Sequence, residues 1–349
     1  MRLQSSTETN ESDIMQMVKY AMIATVMMVG GLFLTGCGGY VTREYTVRNE
    51  AQLREAFANV KANEVINITL ESDIQLHGGG LQVPVGSTIR LDTPSNFWGT
   101  SREHLITKVY GEERHFYVQY QATLSIIGNV TIQSQQSASD ASEPAVNRGG
   151  ITVNGGTFNI SGIVNIRNNR WSEGGGVSVE NGGRFGVSGN ANIGGNIASG
   201  NGGGVFVQAN SNFSISGRSA ISNNMAGNNG GGVFVQINSN FSISGSCTVS
   251  DNVASNIGGG IFANGQEVSI SVVGSSSITR NTANNGGGVA LLNGAQFRRI
   301  GSASVSNNTG GDVVEIDDDS NLPINNEPNI IETPQTEPQP QPSGGNQRQ

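Results

Sequence analysis

The stretch GGGVFVQINSNFSISGSCTVSDN, residues 230–252, combines three glycines, an alternation of apolar and small polar residues, and a closing asparagine. Its opening motif, three glycines before Val or Ile, recurs at intervals of 28 residues. The apolar residue of the motif is Val177, Val205, Val233, Ile261 or Val289. A fixed period of this length indicates a repeat architecture, in which each unit buries its apolar face against its neighbours.

Weaker units begin at Leu81, Phe116 and Ile151, which gives eight units in all. Every unit has a second apolar anchor, and a third that follows it by eight residues. The second anchors are Ile89, Leu124, Phe158, Phe185, Phe213, Phe241, Ile270 and Phe297. The third anchors are Phe97, Ile132, Ile166, Ile193, Ile221, Val249, Ile278 and Val305.

The alternation within a unit has period two, as in Val233 and Val235 and then Phe241 and Ile243. This pattern predicts short strands, three to a unit, while glycine and β-branched residues disfavour helix. We therefore predict an all-β fold, a right-handed parallel β-helix of about eight coils that rises ~4.8 Å per coil.

Glycine and asparagine fit the turns of such a coil. Glycine tolerates positive φ and close approach of neighbouring backbones. An asparagine follows the third anchor by three residues in six units, and asparagine accepts left-handed backbone geometry. We expect stacking to align these amides into a ladder. The residues are Asn169, Asn196, Asn224, Asn252, Asn281 and Asn308.

These two motifs resemble the repeats of the chlamydial polymorphic outer membrane proteins, GGA(I/L/V) and FxxN. Here they read GGG(V/I), as in residues 230–233, and (I/V)xxN, as in residues 249–252. The resemblance covers residues 78–314, with Ile or Val in place of Phe in the second motif. It implies an extracytoplasmic, adhesin-like β-helix at the bacterial cell surface.

The N-terminal segment predicts export from the cytoplasm and a lipid anchor. Residues 21–35 form an apolar run after Lys19, of the length of a signal peptide. The run ends in Leu34, Thr35, Gly36 and Cys37, which resemble the lipobox of bacterial lipoproteins. That resemblance implies cleavage before Cys37 and acylation, palmitate included, that anchors the chain to the outer membrane. The alternatives are a plain signal peptide and an uncleaved membrane helix. The acidic residues 1–13 suggest that translation starts at Met15 or Met17.

A short helix is predicted before the repeats. Asn49 and Gln52 resemble a capping box, and Leu53, Phe57 and Val60 have helical spacing. Such a helix would cover the open end of the stack. The predicted segments are a lipoprotein signal peptide (1–36), a lipidated linker with the capping helix (37–64), the parallel β-helix (65–316) and a disordered Pro/Gln-rich tail (317–349).

The composition excludes several partners. The net charge is −8 and no lysine follows Lys108, which disfavours nucleic acid. With Cys37 lipidated, only Cys247 remains, and its register predicts a small buried side chain. The acids near Asp317 lack calcium-loop spacing, so we predict neither a metal nor a cofactor.

Phe206, Phe234 and Phe262 occupy the middle position of the first strand in three successive units. If they point outward, they form an aromatic strip beside Gln208 and Gln236 that could bind a sugar ring or a partner protein. The alternative is that a loop or the tail covers the strip.

A second candidate surface is a loop. The first two units are 35 residues long, and we place their excess after the third strand. Loops on a rigid scaffold commonly carry binding residues. The candidate binding residues are Arg102, His104, Tyr110 and His115, together with Trp171 one coil further on. The alternative is a solvated loop with ordinary ion pairs.

Parallel β-helices also host pectate lyases and polygalacturonases, which need acids clustered at one level of the stack. Between Gly149 and Gly311 the repeats contain only four acids, Glu173, Glu180, Asp251 and Glu267, and these lie in different coils. We therefore predict no catalytic residues. The expected function is that of a lipid-anchored, surface-displayed, adhesin-like envelope protein. The alternatives are a module that binds host or envelope glycan or protein, and a polysaccharide lyase or hydrolase.

Overall fold

The computed structural model describes residues 41–95, 101–109, 111–135 and 147–316. Over these residues the chain is a right-handed parallel β-solenoid of about eight turns, which confirms the predicted fold. The lipobox, Cys37, Phe97, Tyr110 and the tail lie outside the described residues. No helix among the described residues is long and apolar enough to cross a membrane.

The described residues up to Trp171 contain one helix, α1, and thirteen strands. Helix α1 is Glu50–Ala58. The strands are β1 (Val41–Val47), β2 (Glu64–Leu70), β3 (Ile74–Leu76), β4 (Leu81–Val83), β5 (Thr88–Asp92), β6 (His104–Lys108), β7 (Phe116–Val118), β8 (Thr123–Ile126), β9 (Asn129–Ser134), β10 (Ile151–Asn154), β11 (Thr157–Ile160), β12 (Ile163–Arg167) and β13 (Arg170–Trp171).

From Val177 to Ile316, where the described residues end, the regular elements are all strands. They are β14 (Val177–Glu180), β15 (Arg184–Val187), β16 (Asn192–Gly194), β17 (Ile197–Ala198), β18 (Val205–Val207), β19 (Asn212–Ile215), β20 (Ala220–Ser222), β21 (Met225–Ala226), β22 (Val233–Gln236), β23 (Asn240–Ile243), β24 (Thr248–Ser250), β25 (Val253–Ala254), β26 (Ile261–Asn264), β27 (Ser269–Gly274), β28 (Ser277–Thr279), β29 (Val289–Leu292), β30 (Gln296–Gly301), β31 (Ser304–Ser306) and β32 (Val313–Ile316).

The strands stack into four parallel sheets. Sheet A has the order β1-β2-β5-β8-β11-β15-β19-β23-β27-β30, and sheet B has the order β3-β6-β9-β12-β16-β20-β24-β28-β31. Sheet C has the order β32-β29-β26-β22-β18-β14-β10-β7-β4, and the short sheet D is β13-β17-β21-β25. Each coil therefore passes from sheet C through A and B, and in the central coils through D.

The core is built from in-register rows of identical or similar side chains. Phe158, Phe185, Phe213 and Phe241 stack in sheet A, with successive ring centroids 5.0, 4.9 and 4.6 Å apart. Burial of each such ring is worth about 3 kcal/mol or more, judged from typical losses on Phe→Ala substitution. Cys247 belongs to the same core, as its register predicts.

The predicted capping helix is present. The Asn49 side chain accepts a hydrogen bond from the Gln52 backbone N–H, and the Gln52 side chain accepts one from the N–H of Arg48. Leu53 is buried, and the Phe57 ring stacks on Phe116 with centroids 5.7 Å apart. Strand β1 precedes the helix and pairs with β2, so the solenoid starts before the predicted boundary at residue 65.

The first coil differs from its prediction. Its third strand is β6, in which Ile106 pairs with Ile132. Ile106 is therefore the third anchor of this coil, in place of the predicted Phe97. The extra residues therefore lie before the third strand in this coil. Two of the three buried positions of β6 are polar, His104 and Lys108. The sequence of β6 therefore lacks the alternation of apolar and polar residues that identifies a strand.

The asparagine ladder is also confirmed. In the five steps from Asn169 to Asn308, each Nδ2 lies 2.9–3.1 Å from the Oδ1 of the next coil. One detail of the prediction was wrong, because the left-handed residue is the one before the ladder asparagine. These residues are Asn168, Gly195, Asn223, Asp251, Arg280 and Asn307. The left-handed backbone at these residues turns the chain so that the side chain of the following ladder asparagine points into the coil.

Candidate functional site

The aromatic strip is buried, which corrects the prediction that it forms a binding face. Phe206, Phe234 and Phe262 pair in register on sheet C and expose only 7, 5 and 2% of their surface. Their ring centroids are 5.4 and 5.0 Å apart. They form a small apolar cluster with Ile257, Ala290 and Leu292, separate from the main core.

Glycine turns pack against this strip. Gly230 and Gly258 have φ of 66° and 68°, and a Cβ atom on either would lie 2.8 or 2.5 Å from the Cβ of Phe234 or Phe262. The first glycine of the motif thus fits the turn against the ring row. The alternation in sequence predicts that these phenylalanines point away from the main core. It does not predict that the glycine turn folds back over them and buries them.

Gln208 and Gln236 remain partly exposed at the edge of sheet C. The Gln208 side chain accepts a hydrogen bond from the N–H of Asn181 at 3.4 Å, and the Gln236 side chain accepts one from Ala209 at 3.3 Å. These amides bridge adjacent coils. They stay on the surface, whereas the rings next to them do not.

The described residues of the candidate loop do not share an exposed surface, because Arg102 is exposed whereas His104 and His115 are buried. Arg102 is exposed, with a guanidinium nitrogen 3.7 Å from Asp73. His104 is buried in β6, and its Nδ1 lies 3.7 Å from the same carboxylate. The prediction of a binding loop over residues 101–115 is therefore wrong for His104, since this residue faces inward along a strand.

His115 is buried as well. Its Nδ1 accepts from the Gly150 N–H at 3.0 Å, and its Nε2 donates to the Gln133 carbonyl at 2.8 Å. Burial, which disfavours the charged form, lowers the pKa of His115 to about 4. A neutral imidazole with both nitrogens bonded to backbone holds two coils together.

Trp171 is half-buried and stacks on Arg114, a residue that the sequence analysis missed. The guanidinium carbon of Arg114 lies 4.5 Å from the centre of the Trp171 ring. The guanidinium donates to the carbonyls of Glu173 and Gly174 at 2.8 and 2.7 Å. Complete burial lowers the pKa of Arg114 to about 9. Arg114 therefore ties the second coil to the turn that follows Trp171.

The asparagine ladder ends beside these buried cations. Asn169 Oδ1 lies 3.1 Å from Ser134 Oγ, and Ser134 pairs in register with Lys108. The Lys108 ammonium donates to the carbonyl of Gly78, and burial lowers the pKa of Lys108. In the first coils, long cationic side chains thus bond the carbonyls of turns, whereas further along the ladder asparagines bond the carbonyls of strands in the preceding coil.

These interior groups form no reactive constellation. His115, Arg114 and Lys108 each bond backbone carbonyls or amides inside the stack. Glu173 is bonded to the N–H of Asn201 at 3.1 Å, and burial raises the pKa of its carboxyl. Within the described part of the chain, no group of three or more His, Cys, Asp or Glu side chains is placed to hold a metal ion.

Comparison of the chain with protein-family models, characterised proteins and solved structures finds no match.

Proposed function

We propose that the protein is a lipid-anchored protein of a bacterial cell envelope that displays a rigid, adhesin-like β-solenoid at the surface. The observation that carries this proposal is the lipobox-like Leu34–Cys37 directly ahead of the first strand, which begins at Val41. Acyl chains on Cys37 would hold the α1-covered end of the solenoid at the membrane.

The shape of the body supports display. Eight coils at ~4.8 Å per coil extend about 40 Å from that end. The core rows and the asparagine ladder run along this axis, so the surface of every coil is held on a stiff support. The resemblance of the repeats to those of the polymorphic outer membrane proteins favours an adhesive role.

The proposal includes no enzymatic activity. His115 and Lys108, two bases whose pKa is lowered by burial, are bonded to backbone inside the stack. The four acids between Gly149 and Gly311 lie in separate coils. General acid and base catalysis of glycoside cleavage needs two carboxyl groups that flank one bond. These observations favour a binding role over the lyase or hydrolase alternative.

Metabolic labelling with an alkyne palmitate analogue tests the anchor. We expect the wild-type chain to incorporate label and to partition into the detergent phase of a two-phase extraction. Cys37→Ser should do neither, whereas Cys247→Ser, at a buried cysteine, should behave like wild type. Label that persists in Cys37→Ser, or a wild-type chain without label, would contradict the proposal.

A further inference from the structure

A groove lies on the outer surface where sheet C turns into sheet A in the last three coils. It has a volume of about 730 Å³ and is lined by Gln236, Ile237, Asn264, Gly265, Gln266 and Asn293. Its volume is within the range of small-ligand sites. It lies beyond the buried aromatic strip and includes Gln236, which remains partly exposed.

The groove coincides with an irregularity in the repeat. Phe241 follows Val235 by six residues and Phe297 follows Leu291 by six, whereas Ile270 follows Ala263 by seven. These residues occupy equivalent positions in sheets C and A. The turn of the middle coil therefore contains one extra residue.

Two residues with positive φ accommodate the longer turn, Gly265 at 118° and Glu267 at 56°. A Cβ atom on Gly265 would lie 2.8 Å from the Cβ of Ile237. The glycine backbone therefore lies directly against Ile237. Ile237 nevertheless keeps 44% of its surface exposed, as an apolar patch between polar turns.

Amide side chains surround this apolar patch and are held in place. Asn264 Oδ1 accepts from Asn293 Nδ2 at 2.9 Å, and Gln236 Oε1 accepts from the N–H of Ala209 at 3.3 Å. Both bonds use the side-chain oxygen of the groove residue. They orient the amide and point to its NH₂ group as the donor for a ligand.

The described residues that line the groove are all uncharged. An anionic ligand would lose hydration here without gaining an ionic partner, whereas hydroxyl groups can bond amides. We propose that the groove binds a neutral oligosaccharide, with the C–H face of one sugar ring on Ile237 and its hydroxyls on Gln236 and Asn264. The proposal names a ligand class for the surface-display function and rests on that function.

The test uses the full-length chain in detergent on an array of hexasaccharides. The neutral probes are cellohexaose, maltohexaose and hexa-N-acetylglucosamine, and the competing probes are hexagalacturonate and a Ser/Asn-rich peptide. We expect at least one neutral probe to bind. The sugar ring would bury the exposed part of the Ile237 side chain, which is about half of it. Ile237→Ser removes this apolar contact and should weaken binding about tenfold. Ile163→Ser is the matched control, since Ile163 is the first residue of β12 and is 49% exposed.

A second variant tests the groove without removing Ile237. Replacing residues 265–267 by Ile-Asn, the two residues that follow Gln236 in the preceding coil, restores the shorter turn and should abolish binding. The proposal is overturned if no neutral probe binds, if only uronate or peptide binds, or if Ile163→Ser weakens binding as much as Ile237→Ser. Because the array uses purified protein, these results do not depend on the anchor, which palmitate labelling tests separately, or on the position in the cell, which protease shaving tests.

Discussion

Asn224 shows why one residue type recurs at the same position of every complete central coil. Its Nδ2 donates to the Ile193 carbonyl and to Asn252 Oδ1, both at 2.9 Å. Its Oδ1 accepts from the backbone N–H and Nδ2 of Asn196, both at 3.0 Å. Only an amide offers donors and an acceptor at this length, so no apolar residue could satisfy the backbone groups of two neighbouring coils.

We expect Asn224→Ala to lower the free energy of unfolding by about 3 kcal/mol, because it leaves buried donors and acceptors without partners. Asn240→Ala is the control in the neighbouring coil. The Asn240 amide bonds Asn212 at 3.0 Å on an exposed face, so its loss should cost less than about 0.5 kcal/mol. Urea denaturation measures both, and equal losses would show that the ladder is not a source of stability.

His115 predicts a pH dependence. Its pKa of about 4 in the folded chain is below the ordinary value of 6.5, so the unfolded chain takes up the proton first as the pH falls. Stability is therefore complete above pH 6.5 and is lost progressively down to pH 4. The loss between pH 7 and pH 5 should be about 2 kcal/mol.

Urea denaturation of His115→Gln at both pH values checks this assignment, because the substitution should remove most of the loss. His77→Gln, at an exposed histidine, should retain the wild-type loss. The assignment fails if His115→Gln keeps the full pH dependence.

Strands are the elements that the sequence predicts best in this chain. In the five clear repeats, period-two rows such as Val233 and Val235 lie in sheet C with the predicted register. Strand β6 was missed because buried Lys108 and His104 stand where apolar residues were expected. The burial of Phe234 was missed because it depends on the path of a glycine turn, and composition does not give that path.

The glycine turn itself is testable. A Cβ atom on Gly232 would lie 2.5 Å from the carbonyl oxygen of Gly260, so Gly232→Ala must push two coils apart. We expect a loss of several kcal/mol, seen as a large fall in thermal midpoint or in soluble yield. Gly79→Ala, where the nearest atom is a flexible Glu113 side-chain oxygen at 3.8 Å, should be close to neutral. Comparable losses at both positions would contradict the role of close packing.

The two ends of the whole molecule differ. Helix α1 covers the first coils through buried Leu53 and Phe57. At the other end, strand β30 is largely exposed, with Ile300 and Val313 among the exposed apolar residues. The proposed anchor at Cys37 would place the covered end at the membrane and the last coils, which carry the groove, furthest from it. The lipobox and the capping helix predict from the sequence which end of the solenoid is covered. The groove could not be predicted in this way, because it depends on one extra residue in a turn.

Protease shaving of intact cells that express the full-length chain tests surface display most directly. An epitope added after Gln349 and an antibody against the solenoid report on the tail and the body, and a periplasmic protein reports on leakage. The account predicts that proteinase K removes the tail epitope from intact cells while the periplasmic protein survives. Protection of the epitope until the outer membrane is opened would contradict it and place the solenoid in the periplasm.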